Sequence, residues 1–149
     1  TCALCCEGRS NVCRSQIMPG NDIDGGFAEY ICVPSRGLCS VGDRGNLRLE
    51  DLAVVADAVT TPYQAVVRSG LRRGDVAIVV GLGGVGGYCA QIAAALGARV
   101  VGLDVNESRL RSLASHGVLL GLNPSRLDFK ILKGEIQKAC KGCSKRYFQ

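Results

Sequence analysis

The chain encodes an α/β protein built on a doubly wound parallel sheet. Short apolar runs without polar alternation, helical patterns between those runs, and a glycine-rich turn where the first run meets its helix all predict this architecture.

The elements follow in order. Residues 1 to 13 are cysteine-rich and irregular, and "MPGNDIDGG" (18 to 26) is turn chemistry, with Pro, Gly, Asn and Asp where regular backbone would be costly. "FAEYICV" (27 to 33) has the aromatic and β-branched content of a strand and is closed by Pro34. A Gly- and Ser-containing loop then runs to about Asn46, and from Glu50 the pattern turns helical. In "TTPYQAVVRSG", Thr61 takes the N-cap position, Pro62 the first helical position where its missing N–H costs nothing, and Gly70 the stop. "RRGD" turns the chain into "VAIVV" (76 to 80), an apolar run expected of a strand covered on both faces.

The alternation then repeats. A helix through Val85, Cys89, Ile92 and Leu96 ends at Gly97 and leads to the strand "RVVGL". A second helix, opened by Asn106 and carrying Leu110 and Leu113, ends near Gly117 before the strand "VLLGL" and a final basic helix. This βαβαβα order demands right-handed crossovers between parallel strands. No internal repeat or low-complexity segment stands out.

Composition narrows the function classes. No run approaches the ~20 apolar residues needed to cross a bilayer, so no membrane partner is expected. The opening also lacks the pattern of an export signal, and a cytoplasmic location is the expectation. The formal charge of +5 is concentrated in residues 125 to 149, which hold seven Lys or Arg against Asp128 and Glu135. Phe129, Leu132, Ile136 and Cys140 recur there at helical spacing, so the lysines form the wet face of an amphipathic helix and call for no nucleic acid.

Nine cysteines in a chain with an α/β pattern point to reduced thiols rather than a disulfide framework. Cys2-x2-Cys5 followed by Cys13 places three thiols where a tetrahedral zinc could gather them; reduced core or loop cysteines are the competing reading. A fourth ligand would lie upstream of Thr1, because Cys6 adjoins Cys5 too closely to share the ion. Cys140-x2-Cys143 has no second pair nearby and is discounted, and His116 reads as a helix C-terminal cap.

The sharpest signal is "VVGLGGVGGYCAQIAAALGARVVGLD" (79 to 104). Gly81, Gly83 and Gly86 have the G-x-G-x-x-G spacing, in which the first glycine turns the chain, the second admits a pyrophosphate and the third packs helix on strand. Gly84 adds bare backbone. Asp104, at the end of the next strand, is placed to accept both adenosine ribose hydroxyls and to repel a 2′-phosphate, favouring NAD over NADP. The bland alternative is a plain turn and a strand-end acid.

The segments "TCALCCEGRSNVC", "GGFAEYICVP", "TTPYQAV" and the glycine-rich stretch stand in an order that resembles the zinc-containing medium-chain alcohol dehydrogenase family. The resemblance implies a partial Rossmann doubly wound sheet (61 to 149) preceded by the C-terminal part of a GroES-like, β-rich catalytic domain (1 to 60). It also implies NAD and zinc as cofactors, with Cys2, Cys5 and Cys13 as three of four structural-zinc ligands. Gly81, Leu82, Gly83, Gly84, Val85 and Gly86 match the family's pyrophosphate loop, Asp104 and Arg109 its ribose contacts, and Thr61 a threonine near the nicotinamide. Asp57 stands where many members supply a catalytic-zinc cysteine. It is either a harder metal ligand or a helix-end acid.

The activity implied is oxidation of a secondary alcohol to a ketone. "MPGNDIDGGFAEYICVPSRGLC" and "VVADAVTTPYQAV" resemble a branch acting on a small molecule, the ring alcohol of a cyclic CoA thioester. The rivals are another zinc-type alcohol or polyol dehydrogenase and a non-catalytic dinucleotide-binding module. With no initiator methionine and an end in the basic helix, the chain reads as a fragment holding the first three strands of a six-stranded sheet. Alone it is expected to be inactive, and the full-length protein is expected to be a homo-oligomer.

Overall fold

The computed structural model describes residues 2–142 in full and the backbone of 145–148. The chain divides into two compact units, Thr1–Gly45 and Asn46–Gln149. The division falls before residue 60, the domain boundary expected from the resemblance.

In the first unit a four-residue helix, α1 (Ala3–Cys6), is followed by single 3-10 turns at Ser10–Val12 and Ser35–Gly37. The strand expected at 27 to 33 is not formed. Phe27 and Tyr30 are almost fully exposed there, and the unit's one β-contact among the described residues is an isolated bridge between Pro19 and Ile23. A strand needs a partner for its backbone groups, and this segment finds none within the described chain.

The second unit begins with α2 (Leu49–Leu52), a π-helical turn at Val55–Val59, and α3 (Thr60–Arg68). The π turn runs directly into α3, so Thr61 is not an N-cap: it lies inside the helix, which needs no side-chain cap because helical backbone already precedes it. The stop is as read, with Ser69 as C-cap and Gly70 at φ +68°.

Then come β1 (Val76–Val80), α4 (Gly84–Ala95), β2 (Arg99–Leu103), α5 (Glu107–Ala114), β3 (Val118–Leu122) and α6 (Phe129–Ala139). A fourth strand, β4 (Lys145–Phe148), follows where the sequence reading ended in the basic helix. All pairings are parallel, in the order β3-β2-β1-β4. The chain winds outward to β3 and then returns past β1, so the topological switch lies between β1 and β4. In such sheets the carboxyl ends at the switch form a ligand crevice.

Alternation along the strands builds two cores. Ala77, Val79 and Val100 pack with Val66 of α3, Cys89, Ala90 and Ala93 of α4, and Leu110 and Leu113 of α5. Val76, Ile78, Val101 and Leu103 face the other way, against Leu132, Ile136 and Cys140 at the α6 side. Helices on both faces explain why the strands read as unbroken apolar runs. Phe129, assigned by its spacing to the buried stripe of α6, is instead 75% exposed at the helix's first position. Cys140 is buried; Cys143 lies outside the described residues. His116 Nδ1 sits 2.9 Å from the Ser112 carbonyl at the end of α5, the capping position read for it. Among the described residues no helix is long and apolar enough to cross a membrane.

Candidate dinucleotide site and thiol cluster

The glycine loop is built by two steric requirements. Gly81 has φ +86°, a conformation that L side chains rarely adopt, and its N–H is fixed by the Leu103 carbonyl at 2.7 Å. A Cβ on Gly86 would collide with the Gly81 carbonyl oxygen and come within 2.9 Å of the Gly81 carbonyl carbon. The turn and the helix start are therefore locked together.

Gly83 and Gly84 are bare for a different reason. Gly83 is the extended residue before α4 and Gly84 its first residue; a Cβ on Gly84 would meet nothing within 4 Å, and one on Gly83 only the Arg109 guanidinium at 3.9 Å. These Cβ atoms would project into open space above a helix N-terminus, beside a cavity of about 240 Å³ lined by Leu82, Gly83, Gly84 and Arg109. Free N–H groups and the helix dipole make such a place suited to a phosphate. Val85 is the next residue of the helix and is partly exposed.

Asp104 closes the loop from the neighbouring strand. Its carboxylate is almost fully buried, yet each oxygen accepts a backbone N–H: Leu82 at 2.6 Å and Asn106 at 2.8 Å. The half-exposed Arg109 guanidinium stands 3.6 Å away. Burial acts to raise the Asp104 pKa, but the Asn106 and Leu82 N–H groups and the Arg109 charge outweigh it and hold the carboxyl below its usual range. The side chain is thus a fixed anion at neutral pH. Asn106 caps α5 by accepting the Ser108 and Arg109 N–H groups, which ties Arg109 to the same turn.

Residues the sequence reading passed over complete the arrangement. A Cβ on Gly102 would approach Leu82 Cδ1 to 2.8 Å, so the loop's leucine rests on β2 because Gly102 is bare. Asn123, at the end of β3, donates to the Val105 carbonyl at 3.1 Å and to Glu107 Oε1 at 2.7 Å. The signal was present in two matching strand ends, "GLD" closing β2 and "GLN" closing β3, whose glycines and leucines pair in register.

Thr61 and Asp57 lie together elsewhere. The Thr61 hydroxyl donates to Asp57 Oδ1 at 2.6 Å, one turn apart across the π turn, and both are exposed. Neither lines the cavity at the glycine loop.

In the first unit, α1 and the following 3-10 turn bring Cys2, Cys5 and Cys13 together, with all three sulfurs within 4.8 Å of one another. Cys2 Sγ lies 3.7 Å from Cys5 Sγ and 3.8 Å from Cys13 Sγ. Sulfurs at the corners of a tetrahedron around zinc, each about 2.3 Å from the ion, are separated by about 3.8 Å. The donor set and spacing fit that metal. Cys6 is exposed and outside the group, as its adjacency to Cys5 implied. Hydrogen bonds from the Cys5 N–H and thiol lower the Cys2 pKa to about 7, while its contact with Cys13 raises that of Cys5.

Residues 58–138 match the family model described as "Alanine dehydrogenase/PNT, C-terminal domain". An alcohol dehydrogenase of Geobacillus stearothermophilus is 31% identical over 127 residues, which are 85% of this chain and 37% of that protein. Acryloyl-coenzyme A reductase of Metallosphaera sedula is 35% identical over 111 residues, 73% of this chain and 32% of that one. Galactitol-1-phosphate dehydrogenase from Escherichia coli superposes with a TM-score of 0.84 at 23% identity, covering 99% of this chain and 41% of that chain, and shows the shared fold. The chain spans less than half the length of these proteins. With a Rossmann sheet, its glycine loop and these relatives in agreement, the chain belongs to the zinc-type medium-chain alcohol dehydrogenase family.

Proposed function

We propose that this chain supplies the first half of the NAD site, and the end of the catalytic unit, of a dehydrogenase that oxidises a secondary alcohol to a ketone. The observation that carries the reading is the open backbone cradle at Gly83 and Gly84, in a loop whose Leu82 N–H is held by the buried anion of Asp104. Gly81, Leu82, Gly83, Gly84, Val85 and Gly86 form the pyrophosphate loop, with the Gly81 and Leu82 N–H groups bracing it on Leu103 and Asp104 and the helix start at Gly83 and Gly84 receiving the ligand, while Asp104 and Arg109 contact the adenosine ribose. The fixed charge of Asp104 disfavours a 2′-phosphate, which selects NAD over NADP. When bound, NAD supplies the hydride acceptor.

Cys2, Cys5 and Cys13 hold a structural zinc with a fourth ligand from outside the chain. Thr61 orients the nicotinamide end. Asp57 offers a carboxylate oxygen for a catalytic metal, its other oxygen being held by Thr61. That ion would polarise the substrate hydroxyl.

For the substrate, the segments 18–39 and 54–66 support 6-hydroxycyclohex-1-ene-1-carbonyl-CoA, and the coenzyme A thioester named for the Metallosphaera sedula relative is in keeping with it. A polyol or simple secondary alcohol is the second reading, in keeping with the alcohol dehydrogenase named for the Geobacillus stearothermophilus relative. The whole protein is read as a cytoplasmic homo-oligomer.

Calorimetric titration with NADH and NADPH tests the cofactor assignment: NADH binds more tightly, and a preference for NADPH would refute it. Turnover of the cyclic CoA thioester against simple alcohols and polyols separates the substrate readings. Absence of any hydride transfer to NAD by the full-length protein would leave a non-catalytic binding module.

A further inference from the structure

Among the described residues only two polar side chains are buried, Asp104 and Asn123. They occupy equivalent places one step beyond adjacent, in-register strands, flanking the short loop from β2 to α5. Asp104 fixes that loop from one side through the Asn106 N–H. Asn123 fixes it from the other, donating one amide proton to the Val105 carbonyl and one to Glu107 Oε1, while its own carbonyl accepts the Ser125 N–H at 3.0 Å. Every hydrogen-bonding position needed to bury this amide is thereby used. Arg126, from the same β3–α6 loop, adds an ion pair to Glu107 Oε1 at 3.4 Å.

We propose that Asn123 is a positioning residue for the adenosine ribose: by holding Val105 and Glu107, it sets the loop whose two neighbours, Asp104 and Asn106, present the ribose acceptor. The inference rests on the dinucleotide reading above. It follows from the direction of the bonds. Asp104 is anchored to the glycine loop through Leu82, and the Val105–Asn106 peptide that follows is held on one side by Asp104, through the Asn106 N–H, and on the other by Asn123, through the Val105 carbonyl. Glu107 is the first residue of α5, so its bond to Asn123 also fixes where that helix starts and where Arg109 stands over Asp104. Removing the amide frees the loop without touching the ligand.

The test measures binding of ADP and 2′-deoxy-ADP to the 149-residue chain by calorimetry. These probes differ only in the 2′-hydroxyl, one of the two that Asp104 is assigned to accept. The parent chain prefers ADP by about tenfold or more, the worth of a hydrogen bond to a charged group. In Asn123→Leu and Asn123→Asp, which both lack the two donors, that preference falls at least about threefold. In Glu107→Gln, whose amide oxygen still accepts from Asn123, the preference is kept. Should the Asn123 variants fail to fold, Glu107→Ala removes the acceptor from a part-exposed position and loses preference in the same way.

A variant that weakens both nucleotides equally, with the preference intact, would show a purely structural role and overturn the proposal. A parent chain that binds both nucleotides equally would instead refute the ribose assignment to Asp104, and the proposal with it.

Discussion

The Asp104 carboxylate accepts the Leu82 N–H at 2.6 Å, joining the end of β2 to the middle of the glycine loop on β1. One buried acid therefore serves two purposes. It braces the glycine loop from behind and, in the proposed reading, offers its remaining lone pairs to the adenosine ribose.

That relationship fixes the pH response. The folded-state pKa of Asp104 is depressed, so its contribution to stability is fully present above the unfolded value near 4 and is lost as pH falls through the lower folded value. Thermal unfolding should show Asp104→Asn removing part of the acid-side slope. Asp104→Ala is expected to cost about 1–3 kcal/mol, because it strands the buried Leu82 N–H without an acceptor. A variant of unchanged midpoint would detach the acid from the loop.

The glycines separate into structural and ligand-facing positions. Gly86→Ala drives a methyl into the Gly81 carbonyl and is expected to destabilise by about 1–3 kcal/mol as the turn shifts. Gly84→Ala has open space and sits at a helix start, so stability should stay within about 0.5 kcal/mol while NADH affinity falls. Paired thermal and calorimetric titrations check this. Equal loss of stability in both would remove the distinction.

Much of this was legible in the sequence, and the reasons differ by region. β1, β2 and β3 stand where their apolar runs were read; β1 and β2 are covered on both faces, which leaves no other pattern, while the edge strand β3 keeps Leu119 exposed. Asn106 was readable as a cap because its side chain bonds only to near neighbours in sequence, Ser108 and Arg109. β4 was missed: it is four residues long and charged, and its place beside β1 is set by pairing across the sheet rather than by its own periodicity. The strand expected at 27 to 33 failed for the converse reason, having the composition but no partner. Asn123 was overlooked because its meaning lies in Val105 and Glu107, which are distant in sequence and met only in the fold.

The thiol cluster should bind one zinc per chain by elemental analysis, and Cys5→Ser should weaken retention against a competing chelator. Ligation requires thiolates. Cys2 is already partly ionised near pH 7, whereas the raised pKa of Cys5 opposes loss of its proton, so affinity should rise with pH through and above neutrality. Affinity independent of pH over that range would argue against these three ligands.

Asp57 and Thr61 are coupled by their hydrogen bond at an exposed site. Thr61→Val should leave stability within about 0.5 kcal/mol, since the lost bond is solvent-accessible. In the full-length enzyme, Asp57→Ala should lower both zinc content and turnover. An unchanged zinc count and rate would remove Asp57 from the mechanism.

The most direct test of the central claim is amide chemical-shift mapping of the chain during titration with NADH. The largest changes are expected at Leu82, Gly83, Gly84 and Val85 and at Asp104 to Arg109, with the first unit unaffected. Saturation with shifts confined to other residues, or no shift at all in the glycine loop, would contradict it.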